Sequence, residues 1–456
     1  MNQSIKSHMA EMLSGMYFKS IGGLTMLLQI LPMILALAFL MFFSFKKVNI
    51  IFLSIASALL LAVLSNQSPY AALTETYMSG AAGYVKSYFL LFFFSVIFGK
   101  LMELSGAASS IAAAVSKIFR RDYAILGIVI ACAVLVYGGI SGLVVAFAMY
   151  PIALAVCQQS DLPCNLIPGA IATGAFTFTT ACLPGAPSVS NATCSTAFGT
   201  TAMAAPLLGI LCGIFCLSLS SVYLIWEQRR ARKQGRHFVV DAASMKILEK
   251  SNAAGEKVKP IAALIPPACV VIALNVFGVP IIASMALGCL VCIGLFFRTL
   301  VPQLISVLDT CATSSARSIL FTATVVGFGS VVKESAGFQS LIAWTETLNM
   351  SPYISFALGT TLLAGFSGSS TGGLAISTAA LGPRYLAMGL NPEALHRLAT
   401  ISAVGLDSLP HNGAVNTLLS ISGLTHKDGY IPIFVTTVLI TILTMIFALI
   451  MIPILY

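Results

Sequence analysis

The sequence predicts an all-α polytopic membrane protein, and three observations predict it. Only 9% of the 456 residues are charged while 58% are hydrophobic, with mean hydropathy +0.96, where a soluble domain carries about a quarter charged residues. Uncharged stretches recur at bilayer length, among them Leu24–Phe45, Val48–Thr74, Tyr123–Ser160, Leu162–Trp226 and Ile431–Tyr456, and about 20 apolar residues make one helical crossing. These runs lack the alternation of a membrane barrel, so helices must satisfy the backbone inside lipid.

The net charge of +9 invites a nucleic-acid reading, but nine Lys and Arg against four acids concentrate in Glu227–Lys259. Topology explains that excess, because basic segments stay in the cytoplasm; the lipid bilayer, not nucleic acid, is the expected partner. Eleven cysteines are scattered along apolar runs, and Cys289 and Cys292 spell CxxC with no second pair or histidine nearby, so neither a metal nor a cofactor is expected. Residues 1–23 lack a basic region leading directly into an apolar core and cleavage site, so no removable signal peptide is expected. The expected location is the bacterial inner membrane.

Placing Lys46, Lys47, Arg120, Arg121, the 227–259 linker, Arg298, Arg384, Arg397 and Lys427 all inside threads the chain through ten crossings. The first five lie near 24–45, 48–65, 86–104, 122–158 and 200–226, with 165–195 left to enter and leave on one face. The other five lie near 260–278, 280–298, 316–335, 352–388 and 430–456, with 395–425 as the matching segment on the other face. The domains are then a segment 1–23, a first repeat 24–226, the linker 227–259 and a second repeat 260–456, inverted relative to the first because each holds five crossings. Gly139-Ile140-Ser141-Gly142 returns as Gly365-Phe366-Ser367-Gly368, and Leu183-Pro184 as Leu409-Pro410, both 226 residues later. Inverted repeats recur among secondary transporters.

The runs 122–158 and 352–388 exceed one straight crossing and carry glycine clusters near their middles, so each is read as a broken helix. Amides freed at a break, with the helix dipole, attract an anion at mid-membrane depth. That makes Ser141 and Gly142 in the first half, and Ser367, Gly368, Ser369, Ser370 and Thr371 in the second, candidates for substrate binding. The bland alternative is close helix packing through small residues. The segments 165–195 and 395–425 carry Pro/Gly stretches read as hairpin tips, which nominates Pro184, Gly185, Ser188 and Asn191, with Asn412 and Asn416. A surface loop is the competing reading. Asp407 and His411, four residues apart near the second tip, are the proton-coupling candidates, since ionisable groups at membrane depth default to function. Lys100 with Glu103, and Lys333 with Glu334, are weaker and could simply pair. His396 and Arg397, after Pro392, are expected at an interfacial helix start.

A rhomboid-like intramembrane serine protease would use a GxSG serine with a distant histidine, and this chain has GISG, GFSG and His411. The tetrapeptide, however, occurs twice at symmetric positions. No HExxH or GxxxxGK[ST] motif occurs, so metalloprotease and self-contained ATP-driven pump readings lack support. A passive anion channel stays open, as does sodium coupling.

Tyr150-Pro151-Ile152-Ala153-Leu154, Leu166-Ile167-Pro168-Gly169-Ala170, Phe176-Thr177-Phe178-Thr179 with Leu183-Pro184-Gly185, Phe198-Gly199-Thr200-Thr201-Ala202, Pro392 through Arg397, Gly405 through Val415 and Gly423 through Lys427 together resemble the gluconate permease (GntP-type) family of proton-coupled carboxylate symporters. The likeness runs over nearly the whole chain, and its last stretch looks as much like the hydroxybutyrate branch. The resemblance implies a fold near the ion transporter superfamily and uptake of a sugar acid or short hydroxy acid driven by protons. Analogy with that superfamily points to a homodimer.

Overall fold

The computed structural model describes residues 28–40, 42–43, 46, 48–119, 121–241, 244–246, 248, 258–340, 350–410 and 412–456. Among them there are helices and turns but no strand, as the backbone's need for internal hydrogen bonds in lipid requires. In chain order the helices are α1 Leu28–Leu40, α2 Ile50–Leu64, α3 Pro69–Leu104, α4 Ala107–Ile118, α5 Ala124–Tyr137, α6 Gly142–Ser160, α7 Ile167–Phe176, α8 Val189–Phe198 and α9 Pro206–Lys233. They continue as α10 Pro260–Asn275, α11 Ile281–Leu295, α12 Phe297–Glu334, α13 Pro352–Ser367, α14 Ser370–Ala387, α15 Pro392–Ala403, α16 Gly413–Ile421 and α17 His426–Leu455. Five of these, α3, α6, α9, α12 and α17, are long and apolar enough to cross a membrane, and α1, α2, α10 and α11 are shorter apolar helices. The segment 1–23, expected to keep its place without cleavage, lies outside the described residues.

Two compact units result, one from Met1–Gly83 with Thr324–Ser351, the other from Tyr84–Ala323 with Pro352–Tyr456. In the first, the start of α3 meets the end of α12 at backbone distance: a Cβ on Gly80 would lie 2.0 Å from the Ser330 hydroxyl oxygen. Thr76 donates its hydroxyl to Glu334 Oε2 at 2.8 Å, and Gln67 donates to the Glu334 carbonyl at 3.3 Å. Glu334 is thus held by neighbouring polar groups.

The second unit carries a correction to the sequence reading. The run 122–158 is not one broken crossing. It turns back on itself, for α5 and α6 pack together and Arg121 Nε, before α5, reaches the carbonyl of Ser160, at the end of α6, at 3.3 Å. The run 352–388 likewise folds into an antiparallel pair: the Tyr353 hydroxyl accepts from the Asn391 amide at 3.1 Å, and the Phe356 and Tyr385 rings sit 5.3 Å apart. Conversely, 165–195 and 395–425 do not return to the face they entered. The helix α9, 28 residues long and so about 40 Å from end to end, serves as the ruler. Its last two turns bind the mouth of the first hairpin, where Gln228 donates to the Arg121 and Asp122 carbonyls and Arg232 to the Arg121 carbonyl. At its other end, the Ala205 amide donates to Glu393 at the start of α15. The end of α16 then returns to the linker side, where the Tyr150 hydroxyl donates to the Ser422 carbonyl and pairs with Ser244. So α15 and α16 form one crossing interrupted at 404–412, and α7 with α8 form its counterpart, interrupted at 177–188. Relative to the sequence reading, the hairpin and the broken crossing exchange places. Arg384, near the end of α14, moves with its hairpin to the end opposite the linker, against the threading that put it inside.

Local chemistry explains both turns. Gly139 at φ +95° and Gly368 at φ +59° adopt the left-handed geometry that ends a helix, and Ser141 and Ser369 sit at the N-caps of the helices that follow. A helix stop followed at once by a helix start reverses a chain. Gly373 lets α13 and α14 close, since a Cβ there would lie 2.2 Å from the Ala364 Cα.

Candidate functional site

In each half the hairpin tip meets the interruption of the crossing that follows. At the second meeting point the fully helical α14 begins at Ser370, and the Asp407 carboxyl lies over that start. Ser370 offers it hydroxyl and amide, and Ser408 its amide and, at 2.8 Å, its hydroxyl. Asp407 is 5% exposed, and no cation pairs with it among the described residues. Asn412 ties tip to interruption, donating to the carbonyls of Gly368 at 3.0 Å and Asp407 at 2.8 Å while capping α16 at the Val415 amide. Asn416 donates to the Pro410 and Asn412 carbonyls. Ser369 caps Gly372 and lies 3.3 Å from the Thr371 hydroxyl, and Ser367 donates to the Ala364 and Ser369 carbonyls. The structure therefore gathers Ser367 through Thr371, Asp407, Asn412 and Asn416 in one place. His411 lies outside the described residues. Among the described residues the partners of the GFSG serine are carbonyls.

The first meeting point is built differently. Tyr137, closing α5, donates to the Pro184 carbonyl at 3.0 Å, and a Cβ on Gly139 would lie 3.1 Å from the Pro187 ring. Gly185 donates to the Ala202 carbonyl and accepts from Asn275, and Ser188 caps α8 at the Asn191 amide. Asn191 is wholly buried; its amide donates to the Ala186 carbonyl at 2.8 Å. Its oxygen accepts from His396 Nε2 at 3.1 Å and Arg397 Nη1 at 3.3 Å. Gly142 sits apart from these groups, against Phe176, and Ser141 precedes it. Pro184, Gly185, Ser188 and Asn191 are thus brought together.

The helix starts at Pro392, capped by Asn391, and its His396 and Arg397 are buried in the protein, each 0% exposed. Because Asn191 uses its nitrogen elsewhere, His396 Nε2 is the donor in that bond, and its Nδ1, 2.7 Å from the Thr200 hydroxyl, is free to accept. Arg397 donates further to the Ala181, Ala202 and Ala204 carbonyls, and Gly209 leaves room for its Nε, which has no partner. No carboxylate pairs with Arg397 among the described residues. The signal was present in the sequence, since the segment 395–425 assigned to membrane depth contains both residues, and ionisable side chains there are rarely idle.

Two tyrosines of α3 had no signal at all. The Tyr84 and Tyr88 rings stack obliquely at 4.8 Å. The Tyr88 hydroxyl reaches Thr193 and Thr196 of α8. That of Tyr84, on a side chain 4% exposed, approaches Thr371 without completing a hydrogen bond. The helix pairs cross over: α8 packs on α14 and α15, and α16 on α6 and α7, so the two meeting points are braced by each other's half. Lys100 and Glu103 pair at 2.8 Å, the plain role anticipated for them.

No family model matches the chain. The YdaH transporter of Alcanivorax borkumensis, whose crystal structure shows an unusual topology, has a similar fold. The TM-score is 0.56 over 85% of this chain and 89% of that one, at 14% identity. The Neisseria gonorrhoeae antimetabolite efflux pump MtrF superposes with a TM-score of 0.48 over 84% of each chain, at 11% identity. The uncharacterized transporter YxjC of Bacillus subtilis strain 168 is 32% identical over 458 aligned positions, covering 91% of this chain and 97% of the relative. A helical membrane chain with hairpins and interrupted crossings, similar over its length to a transporter, belongs to the transporter family of YxjC.

Proposed function

We propose that the protein is a secondary active transporter of the inner membrane that carries a small hydroxy monocarboxylate, a gluconate-like sugar acid or 3-hydroxybutyrate, together with a proton. The substrate carboxylate lies between the two meeting points, with the 227–259 linker in the cytoplasm and the halves acting as inverted repeats. The observation that carries this reading is Asp407: a buried carboxyl with hydroxyl and amide donors and, among the described residues, no paired cation. Donors favour its anion and exclusion of water favours its acid, so a change of access can tip it either way. The fixed charge of Arg397, which reaches from the second half into the first meeting point, supplies attraction for an anion. His411, four residues on, is the second coupling candidate, and a homodimer is the proposed assembly.

Uptake into proteoliposomes tests the reading, with labelled gluconate and 3-hydroxybutyrate competed by glycerate and citrate at two pH values. Wild type should accumulate one hydroxy acid uphill on an inward proton gradient. Asp407→Asn should abolish accumulation while leaving a folded protein, and His411→Ala should weaken it. Undiminished proton-driven uptake in both variants would overturn the coupling assignment, and accumulation on a sodium gradient alone would replace the proton.

A further inference from the structure

The second unit holds an open cavity of about 410 Å³ away from the meeting points, lined by Lys259, Ala262, Leu295, Phe296, Phe297 and Arg298 among others. Its position follows from the α10–α11 pair. Those helices pack antiparallel around the turn at Gly278, so Lys259, just before α10, and Arg298, just after α11, come to the same end. That end is also where the basic linker joins α10. The wall is fixed from below, since Ser110 of α4 donates to the Val258 carbonyl at 2.6 Å.

Two features of the lining point to one kind of occupant. Lys259 and Arg298 have no acidic partner among the described residues, Arg298 resting instead over the Phe297 ring at 5.8 Å. Beside them stand apolar side chains that remain open to the surroundings, Phe297 at 54% and Leu295 at 44% exposed. A free anion would be served by the cations alone. Cations adjoining an exposed apolar wall at the end of an apolar helix pair match a phosphate carrying acyl chains.

We propose that this cavity is a binding site for the phosphate headgroup of an anionic membrane phospholipid, with Lys259 and Arg298 on the phosphate and Leu295, Phe296 and Phe297 against the upper acyl chain. Occupancy clamps the α10–α11 pair at its linker end.

Thermal unfolding of the purified full chain in neutral detergent tests it, with phosphatidylglycerol, phosphatidylcholine or sodium phosphate added at equal concentration. Phosphatidylglycerol should raise the midpoint of wild type well above the rise given by phosphatidylcholine. The double variant Lys259→Gln/Arg298→Gln should lose at least two thirds of that difference, while Arg229→Gln/Lys233→Gln, which removes two charges at the end of α9, should keep it. Both lipids acting alike, both variants losing the effect alike, or sodium phosphate reproducing the shift would each overturn the proposal. Native mass spectrometry from mixed-lipid nanodiscs is the second readout. Retained phosphatidylglycerol per chain should fall in the first variant and not in the second.

Discussion

The two meeting points of hairpin and interrupted crossing share an architecture and differ in the charge they bury. In the first half the polar groups are consumed by the protein itself: Asn191 accepts from His396 and Arg397, and the guanidinium is spread over three carbonyls. In the second half the buried ionisable group is a carboxyl, Asp407, surrounded by donors that serve it whether or not it is charged. One is a cation that cannot discharge, since arginine keeps its proton. The other is a group whose charge can change. A paired fold with one fixed and one variable charge separates holding the scaffold from responding to the gradient, and the symmetry of the motifs hides that division of labour.

Substitution at the two charges should therefore have opposite signatures. Arg397→Met leaves the Ala204 carbonyl without its donor, takes a second donor from the Ala181 and Ala202 carbonyls and the Asn191 oxygen, and empties a buried guanidinium site, which should cost about 3 kcal/mol of stability. Asp407→Asn keeps size and most partners and should cost about 1 kcal/mol or less, while removing the charge that changes. Denaturant unfolding of the two purified variants makes the comparison. Equal losses, or a larger loss at Asp407, would break the distinction between a structural and a responsive charge.

How much of this could be read beforehand follows the same division. The all-helical class and the residues around Asp407 follow from hydropathy and from glycine, proline and serine, because those signals are local. The assignment of hairpin and crossing does not, because a glycine cluster in a long apolar run satisfies a kink and a reversal equally well. Gly138-Gly139-Ile140-Ser141 nevertheless held a clue, a glycine stop followed two residues on by an N-cap serine, which begins a new helix rather than bending the old one. The Arg397 network was illegible for another reason. Its partners Ala181, Ala202 and Ala204 contribute carbonyls, which every residue possesses, so nothing in their identity announces the contact.

Tyr84 sharpens the comparison at smaller scale, because α3 touches both halves through one stacked pair. Tyr88 reaches two hydroxyls on α8, whereas the Tyr84 hydroxyl stands unpartnered beside Thr371. Removing an unused donor should be nearly neutral for folding, so Tyr84→Phe is expected to leave stability within about 0.5 kcal/mol. If that hydroxyl completes its bond only during transport, the same variant should slow uptake severalfold, with Tyr88→Phe showing the reverse pattern of a measurable stability loss. Identical behaviour of the two variants would mean that α3 does not distinguish the halves.

The smallest effect lies outside the membrane, where the linker favours one half. Asp161 follows α6, and its carboxyl is held below the ordinary carboxylate range, first by His237 at 2.8 Å and then by the Phe238 amide at 3.1 Å. A carboxyl lowered on folding stabilises the docked linker above its unfolded value, and that contribution disappears as pH falls through the folded value. The pair is exposed, so the effect is modest and salt-sensitive. Further along the docked stretch, the Ser244 hydroxyl pairs with Tyr150, which holds the Ser422 carbonyl at the end of α16. Loosening the linker should therefore be felt at the second interrupted crossing. Asp161→Asn at neutral pH is expected to speed amide exchange, measured by mass spectrometry, in residues 237–241 and at the end of α16, with α8 unchanged. Acidifying the wild type should approach the same pattern once intrinsic rates are corrected. Exchange rising equally in α8 and α16 would show that the linker does not single out the half that carries the changeable charge.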